Sequence, residues 1–344
     1  MRPLLAWPVP ELEAWCEAHG GRGFHARVAR REVLTRGVTD AQQMTGLPAR
    51  LREALAREVP LLAGREVDRR TARDGTTKLL IEFPGKPAVT VETVHIPPSR
   101  ADSGKGATLC VSTQAGCPVA CPFCASGMAG LARNLQAHEI IEQYVRGRAV
   151  GPVGRSVVMG IGEPLLNYEA LTAALEVVHD DLGLGARKVT VSTVGFPDRL
   201  RRAVRGEPRY QLAISLHSPD QAQRDELVPA MAGVPIEEVL AAGDEWFEVT
   251  GREVTYEYVL LGGVNDGTVQ ADRLAERLRG RRATVNLIPY NPTPGLPYAR
   301  PEPAHVDSFA ERLRTAGLVV TVRWSRGLEE AAACGQLRLS RATT

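Results

Sequence analysis

The sequence predicts an α/β protein: a partial (β/α)6 barrel of the TIM type, preceded by a small helical domain and a β-hairpin extension. Three observations carry that expectation. From residue 108 onward, short β-rich runs alternate with stretches of helical period, the rhythm of right-handed βαβ units in a parallel sheet. Nearly every run ends in polar or glycine-rich residues that a plain loop would not need, which is how the active face of a TIM-type barrel is laid out. Residues 1–60, by contrast, show only helical spacing. A barrel of about six strands is open on one side and can admit something large.

Taken in order, apolar residues recur at helical spacing over 11–19, 28–35 and 51–59, with turns at Gly20-Gly21 and Gly46-Leu47-Pro48 between them. The period then changes to that of strands over 77–83 and 89–96, with a Pro-Gly turn region between. Residues 98–106 are rich in Ser, Gly and Pro and predict a loop. Strands follow at 108–112, 156–160, 188–193, 211–217, 254–261, 283–289 and 319–324, with helices at 134–148, 167–181, 235–249, 268–279 and 303–316. The expected organisation is a helical accessory domain over 1–62, a strand extension and linker over 63–105, the barrel over 106–325 and a C-terminal segment over 326–344.

At 344 residues the chain can form one large domain with an appendage, and 44% hydrophobic with 24% charged residues is ordinary for a soluble protein. No stretch approaches the roughly 18 apolar residues of a membrane span. The N-terminus lacks an apolar core and cleavage site, so a cytoplasmic protein is expected. Six cysteines in such a chain point to metal or redox chemistry and not to a disulfide scaffold. A net charge of +2 does not argue for nucleic acid. The arginines at 27, 30, 31, 36, 50, 52, 57, 65, 69, 70 and 73 could form a basic face for phosphates or could simply coat solvated helices.

The chemistry centres on Cys117-Pro-Val-Ala-Cys121-Pro-Phe-Cys124. Soft thiolates select zinc or iron–sulfur clusters. Structural zinc wants four closed ligands, usually as two distant pairs, and no second pair exists here. Cys110 could supply a fourth thiolate, but it lies in the preceding strand, where the pleat fixes its direction. Three thiolates on an iron–sulfur cluster leave one iron open to a substrate, and Phe123 suits a dry cavity around it. His95, His138, His179 and His305 lack any functional context and are read as structural, and Cys16 as helix packing.

This loop resembles the signature of the radical S-adenosylmethionine (SAM) superfamily, and Gly162-Glu163-Pro164 is similar to that family's contact to the SAM amine. The resemblance becomes closer through Leu109-Cys110-Val111-Ser112-Thr113-Gln114-Ala115-Gly116-Cys117, Ile214-Ser215-Leu216-His217 and Asn286-Leu287-Ile288-Pro289-Tyr290-Asn291-Pro292. With Ala333-Cys334-Gly335-Gln336-Leu337 and the Phe24–Arg27 and Met44–Leu47 segments, nearly the whole chain resembles the RlmN/Cfr family of radical SAM adenine methyltransferases.

That resemblance implies a [4Fe–4S] cluster on Cys117, Cys121 and Cys124, and SAM held by Gly162, Glu163, Ser192, Ser215, Leu216, His217 and Asn291. It implies that Cys334 accepts a methyl group from one SAM and that a radical from a second SAM activates it. Adenine carbon 2 is too electron-poor for ordinary methyl transfer, which is why such a route is needed. Glu92 would remove the ring proton, and Cys110 would release the product by forming a disulfide with Cys334. The implied partners are 23S rRNA and tRNA, with a flavodoxin or ferredoxin as electron donor and a monomeric enzyme. Carbon 8 of adenine, as in Cfr, and a small adenine-containing metabolite are the alternative targets. A non-catalytic zinc- or RNA-binding protein is the alternative of a different class. The chain departs from the family at Leu328 and Glu330, at the apolar run 230–234, and in lacking aromatics near Val28 and Val33-Leu34.

Overall fold

A computed structural model describes residues 1–98, 104–324, 326–327, 331–333 and 335–337. The chain begins with three helices, α1 (Val9–Ala18), α2 (Phe24–Arg36) and α3 (Ala49–Glu58). Their apolar faces meet through Leu12 and Cys16, Ala26, Ala29 and Val33, and Leu51 and Leu55, all buried. Each large aliphatic side chain so removed from water contributes roughly 1.5–3 kcal/mol. Cys16 is fully buried packing, as its helical context suggested.

Among the described residues the main sheet has ten strands. The first three, β1 (Arg65–Thr71), β2 (Thr77–Phe83) and β3 (Val89–Ile96), run antiparallel and join β4 (Ala107–Cys110) antiparallel. From β4 the pairing turns parallel through β7 (Val153–Val158), β8 (Val189–Thr193), β9 (Gln211–Ser215), β10 (Val254–Leu260), β11 (Ala283–Pro289) and β12 (Val319–Val322). Their order across the sheet is therefore β1-β2-β3-β4-β7-β8-β9-β10-β11-β12. The barrel strands expected from the sequence are present with ends shifted by a few residues. The hairpin extension has one more strand than expected, because β1 adds to its outer edge. Its run Arg65-Glu66-Val67-Asp68-Arg69-Arg70 has no apolar alternation, since an edge strand is exposed and charge there discourages further pairing.

Helices α4 (Ala137–Val150), α5 (Tyr168–Asp180), α6 (Pro197–Arg205), α7 (Gln221–Leu227), α8 (Ile236–Thr250), α9 (Thr268–Leu278) and α10 (Pro303–Thr315) fill the connections. Of these, α4 matters most to the site. It starts on a capping box between Gln136 and Glu139. Arg133 holds that same Glu139 through two bonds of 2.8 Å. One turn further, Gln143 accepts from Ser112 N–H (2.7 Å) and Thr93 Oγ1 (2.8 Å) and donates to Ser112 O (2.8 Å). This buried network fixes the chain where β4 gives way to the cysteine loop. Glu142 on the same helix accepts from Ala63 N–H (2.7 Å), joining the end of the helical segment to the barrel. Among the described residues no helix is long and apolar enough to cross a membrane.

Candidate active site

A second small sheet, β5 (Gln114–Gly116) with β6 (Leu131–Asn134), brackets the cysteine loop. Gly116 sits at φ +79°, and a Cβ there would lie 1.9 Å from Gly130 O, so only glycine permits this pinch. Immediately after it, Cys117 N–H donates to Gly130 O (3.0 Å), and Ala120 takes the left-handed conformation at φ +57°. The result is a tight loop whose three cysteines, Cys117, Cys121 and Cys124, line one cavity of about 160 Å³. Burial pushes the Cys117 thiol up to about 12 and the Cys121 thiol well above its ordinary value. A thiolate there needs a cationic centre, which is what a metal group provides. Among the described residues no three Cys, His, Asp or Glu side chains converge as a single-ion site. Thiols that hold separate corners of a cluster need not converge, and this donor set fits one.

The polar residues at the strand ends line the same cavity: Gly162 and Glu163 after β7, Ser192 on β8, Ser215 on β9, His217 beyond it and Asn291 after β11. Glu163 is fully enclosed, and its carboxylate accepts from Leu165 N–H (2.9 Å), Thr193 Oγ1 (2.6 Å) and Val194 N–H (2.9 Å). Burial nevertheless raises its pKa, so an arriving cation would find a carboxylate short of positive charge. Ser192 Oγ lies 3.4 Å from Ser215 Oγ.

His217 stands at φ +62°, a conformation strained for a non-glycine residue and held from outside. Asn265 Nδ2 donates to His217 O (2.8 Å), and Val259 N–H donates to His217 Nδ1 (3.2 Å). With burial first and the Arg224 charge second pushing its pKa down to about 3, the ring is neutral and its other nitrogen carries the proton. The Phe123 ring meets it edge-on at 5.1 Å between centroids. Leu216 is buried with its N–H on Glu257 O (3.0 Å) and does not line the cavity.

Cys334 lies outside the described residues, but its neighbours in sequence do not. Gly335 lines the cysteine cavity, and its carbonyl accepts from Ala125 N–H (2.8 Å). Ser126 Oγ donates to Leu337 O (2.7 Å). Cys110 is buried in a small apolar cluster with Val94, Ile161, Ala332 and Leu337. Glu92 lines neither this cavity nor the one described next. It is buried on β3, with Lys78 Nζ 3.0 Å from its Oε1. Lys78 also donates to Ala331 O (3.2 Å), tying the Glu92 carboxylate to the C-terminal segment.

A second cavity of about 480 Å³ opens beside Cys110. Arg155, Arg187, Lys188, Arg323 and Arg326 line it, with Trp324 at its edge. Among the described residues Arg155, Arg187 and Lys188 form no ion pair. In the N-terminal run Arg27 pairs with Glu13, Arg36 with Glu32, Arg57 with Glu58, Arg65 with Glu82 and Arg69 with Glu66, while among the described residues Arg30 and Arg52 donate only to backbone carbonyls and Arg31 and Arg50 form no ion pair. Unpaired cations therefore remain both on the N-terminal helices and at the barrel cavity. Met159 and Ile288 line both cavities. A larger hollow of about 880 Å³ between α8 and α9 is walled by charges that pair with one another, such as Arg277 with Glu237 and Arg281 with Asp244.

Sequence reasoning missed several residues that build this site. Gln114, whose Oε1 accepts from Glu163 N–H (2.8 Å), Thr193 and Asn265 fall in or beside recognisable segments but receive no role from them, and with Gln143 they act through buried hydrogen bonds. Glu257 is another. It lines the cavity from β10, and burial pushes its carboxyl up to about 7, against the Arg323 charge and the bond from Asn286 Nδ2 (2.7 Å).

An open α/β barrel with three thiols and a buried carboxylate at the ends of its strands is a radical SAM enzyme. Residues 111–275 match the radical SAM superfamily model. Over 99% of its length the chain is 42% identical to a "Probable dual-specificity RNA methyltransferase RlmN" of Synechococcus elongatus, 94% of which is covered. Its identity to the protein of that name from Gloeobacter violaceus is 44%, over 98% of this chain and 95% of that one. The crystal structure of a radical SAM methyltransferase from Sphaerobacter thermophilus superposes with a TM-score of 0.90 at 40% identity, covering 98% of this chain and 99% of that one. The chain belongs to the RlmN family of radical SAM methyltransferases, enzymes that use a [4Fe–4S] cluster and SAM.

Proposed function

We propose that this enzyme methylates carbon 2 of an adenine in RNA, with 23S rRNA and tRNA as substrates, using Cys334 as an intermediate methyl carrier. The observation that carries this reading is the cation-lined cavity beside Cys110, which shares Met159 and Ile288 with the cysteine cavity. A polyanion docked there would present one base to the inner cavity. The name its relatives carry, dual-specificity RNA methyltransferase, supports the same substrate.

Cys117, Cys121 and Cys124 would hold the cluster, and Glu163 would take the SAM amine. Bound there, cluster and SAM together supply a radical able to remove hydrogen from an S-methyl group. The remaining work falls to the chain. Cys334 takes the methyl group as a thioether and presents it to the base. Glu92, buried outside both cavities and tied by Lys78 to the C-terminal segment at Ala331, is the acceptor that the family resemblance assigns to the carbon 2 proton. The adduct's surplus electron would return to the bound cluster, and Cys110, as a thiolate, then attacks the Cys334 sulfur: the sulfur–sulfur bond forms, the carbon–sulfur bond breaks with its electron pair left on carbon, and a proton taken up there completes the methyl group of the released base. The packing of Cys110 against Ala332 and Leu337, which flank Cys334 in sequence, supports that pairing.

The test is mass spectrometry of RNA digests after reaction with SAM carrying a deuterated methyl group. Label in 2-methyladenosine is expected. Label in 8-methyladenosine would move the target to the Cfr-type carbon, and an absence of label from both rRNA and tRNA would overturn the RNA reading.

A further inference from the structure

Arg224 sits on α7 in the run Gln221-Ala-Gln-Arg-Asp-Glu-Leu, which reads as a solvated helix face. It is instead completely buried. A buried guanidinium ordinarily carries a carboxylate or a full set of acceptors. Among the described residues Arg224 has neither. Nη2 donates to Val194 O (2.8 Å), while Nε and Nη1 meet no acceptor. The adjacent Asp225 accepts instead from Gln221 Nε2 (2.7 Å).

Its surroundings show where the charge is felt. The guanidinium charge is felt by both Cys121 and His217. Just beyond α7 the chain touches the cysteine loop, through Ala230 N–H on Val119 O (3.4 Å). Val194 is gripped at both ends, its N–H by Glu163 and its carbonyl by Arg224. Because His217 is neutral, Arg224 is the fixed cation next to Cys121.

We propose that Arg224 is a positioning residue for the cluster: a buried cation that offsets the negative charge of the thiolate-ligated iron from the Cys121 side and raises its reduction potential. Reduction adds negative charge, and a cation in a low-dielectric interior stabilises the reduced state more than the oxidised one. The two idle N–H groups are donors suited to sulfur acceptors, which raise the potential in the same direction. The role is independent of which base is methylated.

The alternative is that Arg224 merely tethers Val194. Two variants separate these, each reconstituted anaerobically with iron and sulfide, assayed for iron and titrated reductively by electron paramagnetic resonance. Arg224→Lys keeps the charge. Arg224→Gln keeps a donor for Val194 and loses the charge. The Lys enzyme should hold its four irons at a potential near that of the unmodified protein, and the Gln enzyme should shift to a more negative potential or fail to hold the cluster. Equal potentials in the two variants, or loss of iron from both, overturn the proposal.

Discussion

Glu163 shows how one residue can be both satisfied and reactive. Three donors fix its two oxygens, yet burial still raises its pKa, so a positive charge brought to it gains more than it would at the surface. Glu163→Gln keeps the shape and removes the charge. It should weaken SAM binding by roughly 2–3 kcal/mol, about 30- to 150-fold, measured by equilibrium dialysis, with little change in thermal unfolding. Glu257 lies in the same cavity and makes a prediction about pH. Its folded-state pKa is raised to about 7, so the folded protein keeps a proton that the unfolded chain releases from about pH 4.5 upward. The stability associated with that proton is present below pH 4.5 and lost as pH rises through 7. Glu257→Gln should therefore stabilise the protein at pH 8, by an amount on the order of 3 kcal/mol at most, and have little effect at pH 4.5. Urea unfolding at both pH values reads the difference, and an equal effect at the two would contradict it.

At the scale of elements, the exit of β7 is the critical turn. Gly162 lies at φ +111°, and an added Cβ would come within 2.8 Å of the Gln114 backbone nitrogen. Gly162→Ala should cost roughly 2–4 kcal/mol and abolish SAM binding together with stability, since it moves Glu163. Gly183→Ala is the control: φ is +71° but no atom lies within 4 Å, so only the backbone penalty of about 1–2 kcal/mol is expected. Differential scanning calorimetry compares the two. Much of this level is legible in the sequence. Alternating βα rhythm places the parallel strands, and the oddness of their C-terminal ends marks the cavity wall. Strand β1 escapes because an exposed edge carries no apolar alternation, and β5 and β6 because three- and four-residue strands have no period to detect. Glu163 and His217 are legible from motif and position. Arg224 and Gln143 are not, because a buried polar residue looks the same in sequence as a solvated one until its partners are known.

Across the whole molecule, charge and cavity agree. Net charge alone gives no hint of a polyanionic partner, since +2 is spread over 42 basic and 40 acidic residues. Placement makes the difference: several N-terminal arginines, such as Arg27, Arg36 and Arg69, are neutralised by neighbours, while Arg155, Arg187 and Lys188 stand together at the opening beside Cys110. Arg155→Ala with Lys188→Ala should reduce the slope of log affinity against log salt by about one for each phosphate left without its cation, read by fluorescence anisotropy with a labelled RNA stem-loop. Arg27→Ala, which removes a cation already paired with Glu13, should leave that slope unchanged. The cysteine loop on one side and the cationic opening on the other meet at Met159 and Ile288, and the C-terminal segment is stitched to both through Leu337 and Gly335. A methyl carrier on that segment would serve both cavities. The most direct test is peptide mass spectrometry of Cys110→Ala enzyme after reaction with RNA and SAM carrying a deuterated methyl group. The expected result is an adenine nucleotide bonded through the labelled carbon to the peptide containing Cys334, trapped because no second thiol can release it. A peptide free of adenine, together with labelled RNA released at the unmodified enzyme's rate, would contradict the role of Cys334 as carrier and of Cys110 as its release.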